Sequence, residues 1–390
     1  MLSRVAHFGT TIFSEFSRLA LEHRAVNLGQ GFPDFDGPDE VKAAAIEAIN
    51  GGVNQYAIGQ GAVALRAAVA THTARFYGYR VDPQREVVVT SGATEAIFDT
   101  VMAFVDPGEE VVLFEPFYDS YLASVQMAGG VPRFVRLRQP DTAHATWWMH
   151  PGELEAAFSP RTRLVFVNTP HNPTGKCFTR DELSAIGALA RRSGALIVSD
   201  EVYEHLVYRP QGHLRTATVS GLEDLTLTIS SGGKSFSFTG WKVGWALGPE
   251  RLVSAVQKAH QWVTFATASP FQAAIAKALE LPDSYFDTLR HDYRAKRDRL
   301  GEALAAGGFE VLPCEAGTFL MAGTARLARS GEDDVAFCRR LVAERRVAAI
   351  PPSVFYGPEH APEAHRMARF AFCKTLGTIE EAARRLGTPG

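Results

Sequence analysis

The sequence has few cysteines and no long hydrophobic run. No stretch approaches the ~20 apolar residues that cross a bilayer, and charged residues interrupt the first 24 positions, unlike a secretory signal. The cysteines lie far apart, without a CxxC pair or a cysteine–histidine ligand spacing, at Cys177, Cys314, Cys338 and Cys373. We therefore expect reduced thiols, no bound metal, no membrane association and a cytoplasmic protein.

An excess of basic charge is also missing. The 40 lysines and arginines are balanced by 43 acidic residues, which gives a net charge of -3. Such a balance does not favour binding to nucleic acid, so a small acidic ligand would have to be held by a few local cations. With 390 residues, of which 46% are hydrophobic, the chain is long enough for two or three domains with a sizeable core.

Short apolar runs in the middle of the chain predict buried strands. They are Glu86–Thr90, Glu110–Phe114, Arg163–Asn168, Ala195–Asp200, Leu225–Ser230 and Val243–Leu247. Continuous apolar runs are typical of strands that helices cover on both faces. Between two of them, Thr179-Arg-Asp-Glu182 forms a capping box, which predicts a helix to about Ser193 with a stop at Gly194. The alternation of strands and helices predicts an α/β fold with a mainly parallel sheet.

The last third of the chain has a different pattern. From about residue 283, long charged helical segments precede short strands near Phe319–Met321 and Arg369–Phe372, which predicts a smaller α+β domain. We expect an N-terminal arm (1–40) that packs with this small domain (283–390), and a large domain between them (41–282). Ligands of such sheets bind at the carboxyl ends of the strands, which is where a site is expected.

Two segments have features of phosphate-binding loops. Thr90-Ser-Gly-Ala-Thr-Glu95 follows a strand and opens a helix, whose free N–H groups suit an anion, although a plain turn explains it equally well. No GxGxxG dinucleotide motif is present. Gly233-Lys234-Ser235 is similar to the end of a P-loop, but Thr228 stands where that motif needs glycine. Lys234 therefore needs another explanation, either as a surface charge or as a confined amine that attacks carbonyl groups.

Four further segments share one order with a known family. They are Asn168-Thr-Pro-His-Asn172-Pro-Thr-Gly175, Ser199-Asp200-Glu-Val-Tyr203, Ser231-Gly-Gly-Lys234 and Gly240-Trp-Lys242-Val-Gly244. Together they resemble the class I/II aminotransferases of fold type I, which depend on pyridoxal phosphate. The resemblance extends from Asn27-Leu-Gly-Gln-Gly31 to Arg369-Phe-Ala-Phe-Cys-Lys374 and is nearest to the methionine and kynurenine aminotransferase branch. It implies a large domain with a mainly parallel sheet and a smaller α+β domain.

The resemblance assigns a catalytic group. Lys234 matches the lysine that holds the cofactor as a Schiff base and then moves a proton between substrate and cofactor. Asp200 matches the carboxylate that pairs with the pyridine nitrogen and keeps it protonated. Tyr203 and Asn172 match the residues that hydrogen-bond the phenolic oxygen of the cofactor.

Further positions match residues that hold the rest of the cofactor. The amides of Ala93 and Thr94, the Ser231 hydroxyl and Lys242 would bind the phosphate, with lysine standing where many relatives have arginine. Tyr56 resembles the tyrosine that reaches the phosphate of a neighbouring subunit, which implies a homodimer with shared active sites.

Aromatic residues match the cofactor-stacking position and the substrate pocket. Tyr118 matches the residue that stacks on the pyridine ring, with its neighbour Phe117 as the alternative. Positions that match substrate-binding residues are Gly31, Asn172, Arg369, Phe13, Phe32 and Phe265, and we expect Phe265 to reach the pocket of the neighbouring subunit. Arg369 would grip the α-carboxylate. An aromatic pocket favours methionine, phenylalanine, leucine or a kynurenine-like amino acid, with broad specificity.

The sequence also departs from the branch at two pocket positions. Gly232 stands where relatives often have an aromatic residue, and Ala266 where some have histidine, which leaves the pocket size open. The predicted function is transfer of the amino group of such an amino acid to a 2-oxo acid by a ping-pong mechanism. Two alternatives remain, a cysteine-conjugate β-lyase on the same scaffold and a non-catalytic ligand-binding protein.

Overall fold

The computed structural model describes residues 5–6 and 8–387. Its helices are α1 (Ile12–Glu22), α2 (Asp39–Asn50), α3 (Val63–Tyr77), α4 (Ala93–Phe104), α5 (Asp119–Ala128), α6 (Pro151–Ala156), α7 (Arg180–Ser193), α8 (Gly232–Ser235), α9 (Glu250–Val263), α10 (Ser269–Leu279), α11 (Asp283–Ala306), α12 (Asp334–Arg340) and α13 (Leu376–Gly387). Its strands are β1 (Val26–Asn27), β2 (Val87–Thr90), β3 (Glu110–Glu115), β4 (Val131–Arg138), β5 (Trp148–Met149), β6 (Thr162–Asn168), β7 (Leu196–Asp200), β8 (Thr226–Ser231), β9 (Gly244–Leu247), β10 (Glu310–Val311), β11 (Phe319–Gly323), β12 (Val347–Ala348) and β13 (Met367–Ala371).

A large sheet has the strand order β2-β9-β8-β7-β6-β3-β4-β5. The strands from β8 to β4 run parallel to one another, whereas β9 is antiparallel to both of its neighbours and β5 is antiparallel to β4. The prediction of an α/β fold with a mainly parallel sheet is confirmed.

Both faces of this sheet are buried, as the continuous apolar runs predict. In β6, Val165 and Val167 enter one hydrophobic cluster, while the alternate residues Leu164 and Phe166 enter another on the opposite face. Because successive side chains of a strand point to opposite faces, each strand needs apolar residues at every position.

The six predicted strands of this sheet are present, and their ends agree with the prediction to within one residue. Strand β4 was not predicted. Its residues alternate between buried and partly exposed, and Pro132 together with Arg133, Arg136 and Arg138 obscures the apolar pattern. Strands near an edge are covered less completely, which weakens the sequence signal.

The predicted capping box is also confirmed. The Thr179 hydroxyl accepts from the Glu182 amide, and the Glu182 carboxylate accepts from the Thr179 amide. Helix α7 ends at Gly194, which adopts φ of 73°. A left-handed residue at this position is favourable for glycine because it has no Cβ.

A smaller antiparallel sheet, β10-β11-β13, lies in the C-terminal part. Helices α11 and α13 pack together beside it. The N-terminal segment joins this region, since Phe16 and Ala20 of α1 share a hydrophobic cluster with Leu341, and β1 pairs with β12. None of the helices in the described part of the chain combines the length and apolar content that a membrane span requires.

Candidate active site

The parallel strands β6, β7 and β8 end at the same edge of the large sheet, where they border a cavity of about 330 Å³. Most of the predicted site residues line this cavity: Phe13, Gly31, Phe32, Ala93, Thr94, Tyr118, Asn172, Asp200, Tyr203, Ser231, Lys234, Lys242 and Arg369. A cavity at the carboxyl ends of parallel strands is the expected place for a ligand.

Lys234 lies on α8, one turn after the end of β8, so the strand directs it into the cavity. Its ammonium group donates to the Gly31 carbonyl at 3.1 Å, and it forms no ion pair with any described residue. Burial lowers the pKa of Lys234. A lowered pKa increases the fraction of neutral amine, which is the nucleophilic form.

Asp200 ends β7 and is buried. The Tyr121 hydroxyl donates to one carboxylate oxygen at 2.5 Å, and the Val202 amide faces the other at 3.3 Å. Burial raises the pKa of Asp200 to about 6, although these two hydrogen bonds act in the opposite direction. The Asp200 carboxylate forms no ion pair with any residue that the structure describes, and a cationic group in the cavity would favour its charged form.

Tyr203 and Asn172 enter the cavity from two different loops. Tyr203 is buried, and its ring lies 5.9 Å from the Lys234 ammonium group and edge-on to Phe319. The Asn172 amide donates to the Asn168 side chain at 2.6 Å, and Asn168 in turn donates to the Asp200 carbonyl at 3.0 Å. Asn168 thus ties together the two loops that carry predicted site residues.

The start of α4 forms an anion-binding corner. Gly92, with φ of 80°, precedes the first helical residues Ala93 and Thr94, and Ser231 and Lys242 border the same space. Lys242 makes no ion pair with any described residue, and burial lowers its pKa. Helix N-termini carry unpaired N–H groups and partial positive charge, so this corner suits a phosphate.

Close packing of β9 against this corner depends on glycine. A Cβ atom on Gly244 would lie 2.5 Å from the Gly92 carbonyl carbon and 2.6 Å from the Ala93 nitrogen. Any side chain there would push the first turn of α4 away from Lys242. The glycine of the Gly240-Trp-Lys242-Val-Gly244 motif therefore has a steric reason.

The structure also distinguishes the two neighbouring aromatic residues after β3. Tyr118 lines the cavity, and burial raises its pKa to about 12. Phe117 is instead packed in the core, where its ring stacks on Phe134 with centroids 5.7 Å apart. Of the two candidates, Tyr118 is therefore the residue available to a ligand.

Arg369 in β13 is buried at the other end of the cavity. Its guanidinium donates to the Asn172 side chain at 3.2 Å and to the Gly29 carbonyl at 3.1 Å, while Nε has no hydrogen-bond partner. Burial lowers the pKa of Arg369 to about 10, and no carboxylate of the described chain pairs with it. A buried, unpaired guanidinium is costly, so this group is suited to a carboxylate ligand.

Aromatic rings surround this arginine. Its guanidinium carbon lies 4.0 Å from the Phe319 ring centroid and 5.3 Å from that of Phe13. A Cβ atom on Gly31 would lie 2.4 Å from Phe319, so only glycine lets the loop after β1 pack so closely there. Phe32 is half exposed at the mouth of the cavity.

Two predicted residues do not line the cavity. Tyr56 and Phe265 have 83% and 49% of their surface exposed, and their rings contact each other edge-on with centroids 5.3 Å apart. Both residues are predicted from the sequence to reach the site of a neighbouring subunit, and this stays a prediction.

Several cavity residues were not predicted, notably Gln30, Tyr121, Asn168 and Phe319. Gln30 belongs to the Asn27–Gly31 segment, and its amide donates to the Phe13 carbonyl and the Ser17 hydroxyl. Asn168 stands at a predicted strand end, which was a usable signal. For Tyr121 and Phe319, the sequence offered no distinction from ordinary core aromatics.

The side chains present fit pyridoxal phosphate. The cofactor has an acidic phosphate, a basic ring nitrogen and an aldehyde. The cavity presents a helix N-terminus with Lys242, a buried carboxylate that makes no ion pair within the described part of the chain, and a lysine amine. The guanidinium nitrogen left without a partner in Arg369 provides a separate position for a substrate carboxylate. The phosphate, ring nitrogen and aldehyde of the cofactor and the carboxylate of the substrate therefore each have a complementary group in the cavity.

Comparisons with known proteins agree with this geometry. The sequence model for "Aminotransferase class I and II" matches residues 23–386. A probable N-succinyldiaminopimelate aminotransferase, DapC, of Mycobacterium tuberculosis is 44% identical, covering 99% of this chain and 97% of that protein. Methionine aminotransferase of Escherichia coli is 40% identical, covering 98% and 97%.

A third relative, kynurenine–oxoglutarate transaminase of Dictyostelium discoideum, is 37% identical over 97% of this chain and 94% of that protein. The solved structure of N-succinyldiaminopimelate aminotransferase from Mycobacterium tuberculosis superposes with a TM-score of 0.94 and covers 99% of both chains. The chain therefore belongs to the class I and II aminotransferases of fold type I, a family of enzymes that depend on pyridoxal phosphate.

Proposed function

We propose that this aminotransferase takes the amino group from an apolar or aromatic L-amino acid, such as methionine or phenylalanine, and passes it to a 2-oxo acid in two ping-pong half-reactions. The observation that carries the proposal is the distribution of charge in the cavity. Its cationic side chains are Lys234, Lys242 and Arg369, and the wall near Arg369 is aromatic.

Each of these cations has a separate ligand group. Lys242 borders the anion-binding corner, where it would bind the phosphate. Lys234 would contact the reacting carbon, and Arg369 would bind the α-carboxylate. No cation of the described chain then remains in the cavity for a carboxylate at the far end of a substrate. An apolar side chain that contacts Phe13, Phe32 and Phe319 would instead gain free energy from burial.

The names of the relatives leave this choice open. The Mycobacterium tuberculosis relative is named for N-succinyldiaminopimelate, which carries additional carboxylates, and the Escherichia coli relative for methionine. The missing cation favours the second class of substrate. A pocket of this kind separates apolar side chains by only about 1–3 kcal/mol per methylene, so activity with several of them is expected.

Arg369 orients the substrate. Its planar guanidinium binds the α-carboxylate with two parallel hydrogen bonds, and Asn172 holds one of its amino groups in place. Amino acid and oxo acid share this carboxylate, so the same contact serves both half-reactions. Fixing the carboxylate also fixes the direction of the Cα–H bond relative to Lys234.

Lys234 moves the proton. Bound pyridoxal phosphate supplies an electrophilic carbon and an electron-withdrawing ring. The Lys234 amine, with a pKa lowered by burial, would hold the cofactor and would accept the proton from the substrate Cα as general base. Asp200 would keep the ring nitrogen protonated, and Tyr203 and Asn172 would hydrogen-bond the phenolic oxygen.

The remaining predicted residues hold the cofactor. The amides of Ala93 and Thr94, the Ser231 hydroxyl and Lys242, which line the cavity, would bind the phosphate, and Tyr118 would stack on the ring.

A homodimer would complete this site. Tyr56 and Phe265 are exposed next to other apolar groups, among them Trp262, which is 84% exposed, and Val263. An apolar surface of this kind is typical of a subunit interface. We infer that a second copy of the chain covers it, so that these two residues reach the cavity of the other subunit.

Absorbance of the purified protein tests the proposal. Addition of methionine without an oxo acid should convert the band of lysine-bound pyridoxal phosphate to that of the amino form, and a 2-oxo acid should restore it. Lys234→Ala should lack the first band. N-succinyldiaminopimelate should react at least ~10-fold more slowly than methionine. The reverse order would overturn the assigned substrate class, and release of pyruvate and ammonia from a cysteine conjugate without an oxo acid would indicate the lyase instead.

A further inference from the structure

The turn that follows β7 has two sides. Asp200 and Tyr203 line the cavity, whereas Glu201 and Glu204, which alternate with them, do not line it and are buried in the protein. Two buried carboxylates so close to the cofactor site require compensation, because an unpaired buried charge is costly.

Arg215 supplies this compensation from a segment that does not reach the cavity. Its Nε donates to Glu201 at 3.1 Å, and one terminal nitrogen donates to Glu204 at 2.5 Å. The other terminal nitrogen donates to the Thr73 hydroxyl of α3 at 3.1 Å. Its guanidinium carbon lies 4.0 Å from the ring centroid of Tyr77, and only 2% of the residue is exposed. Each of the three guanidinium nitrogens therefore donates a hydrogen bond.

The carboxylates make further contacts with neighbouring segments, among them His213, whose Nε2 lies 2.6 Å from a Glu201 carboxylate oxygen. Glu201 accepts from the Ser199 hydroxyl at 2.8 Å and from the Thr216 amide at 3.0 Å. Glu204 accepts from the Ser230 hydroxyl of β8 at 2.5 Å. Ser230 directly precedes the Ser231–Lys234 segment, so the cluster links the turn that carries Asp200 to the strand that leads to Lys234.

The charges of the cluster also act on the site. Burial alone would lower the pKa of Arg215, but Glu204 and Glu201 outweigh burial and raise it. Burial, and in addition the charge of Glu201, raise the pKa of Asp200. Arg215 offsets the two glutamates and thereby limits the negative potential that Asp200 experiences.

We propose that Arg215 is a positioning residue for the amino-transfer reaction, which holds the turn from Asp200 to Glu204 so that Asp200 and Tyr203 meet the cofactor. Arg215 itself touches neither cofactor nor substrate. This inference rests on the proposed roles of Asp200 and Tyr203. Both roles need a rigid turn, and the buried cluster would supply that rigidity.

The test compares four variants. Arg215→Met removes the positive charge. Arg215→Lys keeps this charge but lacks the separate guanidinium nitrogens that bind the two carboxylates. Glu204→Gln removes the carboxylate charge and keeps the side-chain shape. Arg340→Met is the matched control, because Arg340 holds Glu332 with two hydrogen bonds of 2.7 and 2.8 Å in the C-terminal region, away from the cavity. For each protein we would measure cofactor content, kcat, KM, the melting temperature and the pH titration of the bound cofactor's absorbance.

We expect Arg215→Met to lower kcat by roughly 10- to 100-fold, with KM changed much less. The midpoint of its absorbance titration should move to higher pH, because a displaced Tyr203 no longer stabilises negative charge on the phenolic oxygen. Arg215→Lys should recover part of both effects, and Glu204→Gln should lower kcat by about 10-fold. Arg340→Met should lose thermal stability with an unchanged kcat and midpoint.

The inference is overturned if the folded, cofactor-loaded Arg215 variants keep the wild-type kcat and midpoint, or if Arg340→Met shifts them equally. Should Arg215→Met fail to fold, Glu204→Gln and Arg215→Lys carry the same comparison. The absorbance titration needs no substrate. A wrong choice of amino acid in the proposed function therefore cannot be mistaken for failure of this inference.

Discussion

Two buried arginines near the site have different surroundings, since Arg369 lines the cavity and Arg215 lies behind the turn that follows β7. Arg215 pairs with two carboxylates, whose charge raises its pKa despite burial. Arg369 has no carboxylate partner in the described chain, one of its nitrogens is unpaired, and burial lowers its pKa to about 10. The comparison gives a criterion that separates structural from ligand-binding charges. A buried charge that supports the site is neutralised by the protein, whereas a buried charge that binds the ligand has no partner of opposite charge.

The sharpest test of this criterion is Arg369→Met. Removal of the carboxylate-binding group should lower kcat/KM for methionine by roughly 100- to 1,000-fold, while the cofactor stays bound. The free energy of unfolding without substrate should rise by about 0.5–2 kcal/mol, because an unpaired buried charge is gone. Steady-state kinetics and denaturant unfolding measure the two effects.

Arg366→Met is the matched control, since Arg366 is exposed close to the same strand. It should leave kcat/KM and stability nearly unchanged. A large loss of stability in Arg369→Met would contradict the criterion, because it would mean that Arg369 supports the fold as Arg215 does.

Arg215→Met should change stability in the opposite direction. Loss of the guanidinium leaves Glu204 without its ion pair and leaves His213 as the remaining partner of Glu201, and breaking a buried ion pair typically costs about 3–5 kcal/mol. The free energy of unfolding should therefore fall by that order in urea or guanidinium titrations at neutral pH. A variant as stable as the wild type would show that water or protonation compensates these carboxylates, and the contrast between the two arginines would disappear.

Much of this arrangement could be predicted from the sequence, but only where a short segment carries the signal. Lys234, Asp200 and Arg369 follow or lie in recognisable strands, and the apolar runs of β6 and β7 reflect burial on both faces. Arg215 gave no such signal. Its partners are Glu201, Glu204 and Thr73, and only the path of the chain brings the last of these close.

The same reason explains the other residues that were missed. Tyr121 looks like an ordinary core aromatic on α5, and its hydrogen bond to Asp200 depends on how α5 packs against β3 and β4. Phe117 and Tyr118 are adjacent and similar in sequence, so only the backbone direction after β3 shows which of them faces the cavity.

The same criterion applies to the negative charge of Asp200, and in this case the effect on stability depends on pH. Its pKa is raised from 3.8 to about 6 without cofactor, so the folded protein binds the proton more tightly than the unfolded chain. The contribution of Asp200 to stability is therefore largest below pH 4 and is lost as pH rises through about 6. Asp200→Asn should avoid this loss.

In the cofactor-free protein above pH 6, we expect Asp200→Asn to be more stable than the wild type by up to about 3 kcal/mol. The difference should shrink as the pH falls towards 4. Thermal unfolding over this range measures it, with Asp224→Asn as control, since Arg191 holds the pKa of Asp224 below its usual value. A stability difference that does not vary with pH would show that Asp200 is not destabilised as a charge.

Lys242 gives the smallest expected effect, because it is exposed and its unpaired charge is therefore less costly than that of the buried Arg369. Lys242→Arg keeps the charge and adds a fork that can hold two phosphate oxygens, so the dissociation constant of pyridoxal phosphate should fall by a few-fold, about 2- to 10-fold. Titration of the cofactor-free protein measures it, with the exposed Lys277→Arg as control. Weaker binding would mean that the corner set by Gly92 and Gly244 fits an ammonium group but excludes a guanidinium, in which case packing rather than charge determines which cation this family member uses there.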